Sequence, residues 1–237
     1  MTRVDFSSFS PALVIATVVG LALAPFVAVM VTSFTKIVVV ISLLRNALGL
    51  QQTPPNVVIN GLAIILSIYV MYPVILDTFD SINAMPPAAA SAQPQQGAPQ
   101  GAPGDRLTVD RLVQMVTTGK EPLRKFLIKH SHQREREFFL ESAKRMLPPQ
   151  QQSALTAEDF IVVMPAFTVS ELTAAFQIGF LLFLPFVVID LIVSNILLAL
   201  GMMMLSPTMV SLPFKLLLFV LLSGWAKLIH GLVMTYR

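Results

Sequence analysis

The sequence contains no cysteine. Disulfides, thiolate metal sites and thiol nucleophiles are therefore excluded, and thiol usage gives no reading of the redox compartment. Charge is also scarce. Only 12% of the 237 residues are Asp, Glu, Lys or Arg, against about 25% in ordinary soluble domains. The formal net charge of +3 arises from scattered cations, and no basic stripe with interleaved aromatics exists, which argues against nucleic acid as a partner. The motifs of catalysis are missing too: there is no phosphate-binding G-x-x-x-x-G-K-[ST] loop, no H-E-x-x-H and no G-x-S-x-G. The chain is expected to have no enzymatic activity, no catalytic residue and no cofactor. His130 and His132 form an H-x-H in a charged stretch, but without a third ligand they make a poor metal site. A solvated helix face is the better reading, so no metal is expected. His230 stands alone and reads as a helix-end residue.

Apolar length is what the chain has in abundance. Hydrophobic residues make up 55% of it, gathered in runs that suit lipid or a large assembly. The run 11–31 is long enough to cross about 30 Å of hydrocarbon. Arg3 ahead of it and Ala22-Leu23-Ala24 within it imitate a cleaved signal, but Pro25 would follow the cut and the run continues to Val31. A retained membrane helix is expected. Ala12, Ala16, Gly20, Ala24 and Ala28 recur every four residues and would form one small-residue stripe for close helix packing, although alanine is common in any apolar helix.

Residues 34–50 read as a second helix. Lys36 and Arg45 make it a poor lipid-facing span, and Gly49 suits its C-terminal end. Pro54-Pro55 breaks the chain, Asn56 can cap the next helix, and 57–76 is the next span, ending near Pro73 and Asp77. Residues 86–104 are low-complexity Pro/Ala/Gln/Gly, the composition of a mobile linker. Residues 105–147 carry Leu107, Leu112, Met115, Val116, Leu123, Phe126 and Leu127 at helical spacing among alternating charges. Here Pro122 is expected to start or kink a helix and Pro148-Pro149 to end one.

From Thr173 to Leu205 the only charge is Asp190. As one helix this would be about 50 Å long, so a break or hairpin at Pro185 is expected. Residues 208–234 form the last apolar segment. The parts are thus 1–76, 77–160 and 161–237. The fold class is an all-α membrane protein of helical hairpins and broken apolar helices, with a small polar helical region. The connection 32–56 carries two cations and no acid, which places it on the cytoplasmic side and 77–160 on the opposite side.

Two acids and three methionines are the candidate functional residues. Glu171 and Asp190 each cost about 2.5–3.5 kcal/mol at the centre of a membrane helix, so each implies a partner or a wet cavity. For Glu171 a helix start, where the dipole stabilises a carboxylate, is the competing reading. Met202, Met203 and Met204 are consecutive, so they cannot all face one side of a helix. Ordinary core filling is one reading; thioethers crowded at a turn to seal a pore is the sharper one.

Several segments resemble one family. Thr32–Asn56 (TSFTKIVVVISLLRNALGLQQTPPN) with Gly61-Leu62-Ala63, then Met164–Pro207, then Leu212–Trp225 (LPFKLLLFVLLSGW) resemble the FliP/SctR proteins in order and spacing. The resemblance covers most of the chain outside 77–160. It implies a subunit of the type III secretion export gate in the bacterial inner membrane. It also implies a homo-pentameric ring completed by FliQ/SctS-like and FliR/SctT-like subunits, with unfolded substrate proteins passing through its centre. Met202, Met203 and Met204 match the methionines that close the family's resting pore. The family's apolar helices bury one another in a tapering stack raised toward the periplasm, so not every run need cross lipid. The retained first helix and the Pro/Gln-rich insert favour an injectisome member over a flagellar one. A proton-coupled transporter using Glu171 and Asp190 is the rival from another class; no internal inverted repeat supports it.

Overall fold

The computed structural model describes residues 11–50, 52–84 and 109–237. For residues 11–14, 16, 17 and 109–113 it describes the backbone alone. Among the described residues the chain is all helical, with no strand, as its apolar runs predict. The linker 86–104 lies outside the described residues.

The helices are α1 (Pro11–Met30), α2 (Phe34–Ala47), α3 (Asn56–Asn83), α4 (Val109–His130), α5 (Gln133–Met146), α6 (Pro149–Gln152), α7 (Phe160–Ala199), α8 (Pro207–Leu221) and α9 (Gly224–Met234). By length and composition α3 and α7 could each cross a membrane. Two further pairs qualify if each counts as one bent span: α1 with α2, bent by 59°, and α8 with α9, bent by 61°.

Pro54-Pro55 lie between α2 and α3 and Pro148-Pro149 follow α5, as expected, but other prolines do not mark helix ends. Pro25, Pro73, Pro122 and Pro213 lie inside α1, α3, α4 and α8. The expected break at Pro185 is absent: α7 runs unbroken for 40 residues, about 60 Å. A proline removes one backbone hydrogen bond and crowds the preceding turn, at about 3 kcal/mol. An apolar helix of this length carries that cost because its other backbone groups remain paired internally. Likewise α3 continues past Pro73 to Asn83, beyond the expected end. The last apolar segment is instead divided at Ser223, which holds a left-handed backbone (φ 51°) between α8 and α9.

Two compact units are present. The first comprises the chain up to Ser67 together with Glu171–Arg237, the second Ile68–Ser170. In the first unit α2 is the buried helix. Ile37, Val40, Ile41, Leu44, Ala47 and Leu48 are all buried, at the three- and four-residue spacing that puts them on one stripe. With Ile59 and Ala63 of α3, Ala175 and Phe186 of α7, Phe219 of α8, and Leu228 and Leu232 of α9, they form one core. At Gly179 an added Cβ would stand 2.2 Å from Leu43 Cδ1 and 3.1 Å from Leu43 Cβ, so α7 lies close against α2 there.

The second unit buries Phe126 and Leu127 of α4 and Val162, Val163, Ala166 and Phe167 of α7. The Phe126 and Phe167 rings lie 5.8 Å apart, and the Arg124 guanidinium sits over Phe160. Val116 departs from the expected apolar face: it is exposed. Leu107 lies outside the described residues. Helix α5 has no buried residue.

Candidate functional site

Two lysines from apolar helices reach two acids on α7. Lys36, near the start of α2, donates to Glu171 Oε1 at 3.0 Å. Its ammonium also lies 3.4 Å from Thr235 Oγ1 and 4.1 Å from the centre of the Tyr236 ring. Tyr236 donates its phenol to the other carboxylate oxygen, Glu171 Oε2. Glu171 lies well inside α7 and is 2% exposed, so it does not occupy the helix start considered from sequence. Burial first, and the neighbouring carboxylate second, push the Tyr236 phenol far above its usual range. It therefore keeps its proton and acts as donor.

The second node joins three helices. Lys215 of α8 donates to Asp190 Oδ2 of α7 at 2.7 Å and to the backbone carbonyl of Ala47 at 3.2 Å. Ser211, one turn earlier on α8, donates to Asp190 Oδ1 at 2.5 Å. Ala47 is the last residue of α2, and such terminal carbonyls lack an intrahelical partner. Lys215 and Ser211 are buried, and the Asp190 side chain is about one-third exposed. A buried lysine is tolerated only when its charge is neutralised and its donors are used; both lysines satisfy this. Their role was not assigned from sequence. From the sequence Lys36 marks a poor lipid-facing span and a cytoplasmic connection, with no partner indicated.

The three methionines sit in the turn between α7 and α8. Met202 is 47%, Met203 80% and Met204 fully exposed. They are not core residues of the described chain. The turn begins with a glycine-based C-cap: Gly201 has φ +70°, its N–H bonds Leu198 O, and the Met202 N–H bonds Leu197 O. This two-bond closure needs a left-handed residue, which glycine adopts at little cost. Gly49 (φ 79°) closes α2 in the same way. On α1 the side chains of Ala12 and Ala16 lie outside the described residues. Gly20, Ala24 and Ala28 are exposed, and among the described residues nothing lies within 4 Å of a Cβ placed on Gly20.

Among the described residues no group of three His, Cys, Asp or Glu could hold a metal ion. His130 ends α4 beside the Phe126 ring, and His132 precedes α5.

Long apolar helices fastened by internal lysine–carboxylate pairs define a helical protein built for lipid or for burial in a larger assembly. Residues 17–232 match the FliP family, and the chain belongs to that family. It is 47% identical over 237 residues, covering all of both chains, to the hypersensitivity response secretion protein HrcR of Ralstonia nicotianae. It is 50% identical to the Yop proteins translocation protein R of Yersinia pestis, over 91% of this chain and 92% of that one. It is 42% identical to the virulence protein YscR of Salmonella typhimurium, over 96% of this chain and 97% of that one.

Proposed function

We propose that this chain is a pore-forming structural subunit of the type III secretion export gate, through which unfolded proteins cross the bacterial inner membrane. Its place in the type III export apparatus rests on family membership and on relatives named for secretion and translocation. Those relatives favour the injectisome over the flagellum. The pore reading goes further, and one observation carries it. Three consecutive thioethers stand exposed on a turn set by Gly201, between two apolar helices. A single chain gains nothing by exposing them. Copies arranged around an axis would bring the turns together into an apolar constriction, which resists ions by dewetting. Unbranched thioethers can re-pack around a passing chain.

The proposed assembly is a homo-pentamer joined by FliQ/SctS-like and FliR/SctT-like subunits. The proposed orientation puts 77–160 on the periplasmic side. Arg45 carries that orientation, since Lys36 is neutralised by Glu171. The transporter reading loses ground because Glu171 and Asp190 are each tied to a lysine.

Changing Met202, Met203 and Met204 together to Ala should leave an assembled complex that leaks. Dye uptake or conductance in cells making the whole complex should rise several-fold, with export retained. An assembled complex as tight as the parent would reject the seal.

A further inference from the structure

The seven-residue segment 200–206 joins α7 to α8 and carries the methionines. Something must hold those two helices in place beside it. Apolar packing near the turn is incomplete, although Val193 and Leu197 of α7 are buried there. An open apolar cavity of about 380 Å³ is lined by both helices, among others by Ile192, Ile196, Val210 and Phe214. The polar node is made by chain neighbours of its lining residues Ile189, Val210 and Phe214. Asp190 is about 14 Å along α7 from the helix end at Ala199, and Ser211 and Lys215 lie one turn apart on α8. The node grips α7 at both carboxylate oxygens and reaches the last carbonyl of α2.

We propose that Asp190, Ser211 and Lys215 form a positioning clamp that sets the place of the methionine turn relative to the end of α2. The proposal rests on the reading of that turn as a seal. Salt bridges in apolar surroundings are directional, and their best-attested use is to select one arrangement of helices rather than to add stability. Lys215 can satisfy Asp190 and Ala47 together only when α2, α7 and α8 keep one register. Losing it frees the first turns of α8, and the methionine turn moves with them. The apolar core at Ile41, Leu44 and Phe219 does not depend on that contact.

The absence of cysteine permits a clean test. A nitroxide label at Met203→Cys in the assembled complex reports the turn, and a second label at the exposed Phe138→Cys of α5, in the other compact unit, serves as a control. Lys215→Met should increase the mobile fraction at position 203 several-fold and leave position 138 unchanged, while Lys215→Arg should stay near the parent. Ser211→Ala should give a smaller rise, and it decides the matter if Lys215→Met does not assemble. No change at 203 in the assembled variant, or an equal rise at both labels, overturns the clamp. Dye uptake separates the two ideas. A mobilised turn with no leak from the triple alanine variant removes the seal and leaves the clamp. A leaking triple alanine variant with an unmoved label in Lys215→Met removes the clamp and leaves the seal.

Discussion

A lysine in an apolar helix needs a partner that neutralises it and occupies its donors. For Lys36 these are Glu171, Thr235 and the face of Tyr236. Both side chains of the Lys36–Glu171 pair are at most 5% exposed, so removing one member strands the other. Lys36→Met should lower the stability of the detergent-solubilised protein by about 3–5 kcal/mol, the usual penalty for an orphaned buried charge. The double variant Lys36→Met with Glu171→Leu should recover most of that loss, because replacing a whole buried pair by apolar residues is often neutral. Thermal unfolding of the single and double variants checks this; equal losses in both would mean the pair is not coupled. Glu171 and Asp190 were legible in the sequence as costly charges. Their partners were not, since Lys36 lies 135 positions from Glu171, and no local rule links residues so far apart.

At the scale of elements, helix existence was legible and several helix limits were not. Apolar length marked α1, α3 and α7, and Gly49 marked the end of α2, where its left-handed backbone closes the helix. Pro185 misled, because a proline's local cost is smaller than what a long, internally bonded helix retains. The close approach of α7 to α2 at Gly179 was invisible to sequence reasoning. Gly179→Val should force the two helices apart. Leu43 Cδ1 can swing away from the new side chain, but Leu43 Cβ at 3.1 Å is fixed to the backbone. The expected loss is about 1–3 kcal/mol, as for other overpacked sites, with Gly179→Ala costing less. Unfolding midpoints for the two variants measure it, and a stable Gly179→Val would show that the contact is loose.

The whole molecule leaves much apolar surface uncovered. The described side chains of α1 from Val18 to Met30 are all exposed, as are Phe176, Phe180, Leu191 and Ile196 of α7. Contiguous apolar surface on this scale requires lipid or other subunits to cover it. If the Gly20 stripe packs against another helix of the complex, Gly20→Leu should reduce the assembled species several-fold on native gels while membrane insertion stays intact. Among the described residues nothing crowds that position, so the isolated subunit should fold normally. An undiminished oligomer would make the stripe ordinary apolar sequence.

The sequence by itself determined that this chain is an all-helical protein of apolar segments, because run length and helical periodicity are local properties that survive any arrangement of the parts. It determined the family for the same reason: motif order and spacing are written along the chain. It also singled out Met202–Met204, since three thioethers in a row are conspicuous wherever they lie. Tertiary structure alone decided that the methionines stand on an exposed turn and that α2 is the buried centre of its unit. It alone decided that Lys36 and Lys215 hold the acids of α7. Those facts depend on which distant segments meet. A buried charge makes that choice strict: its cost is offset only where a counter-charge arrives with the right atoms in reach.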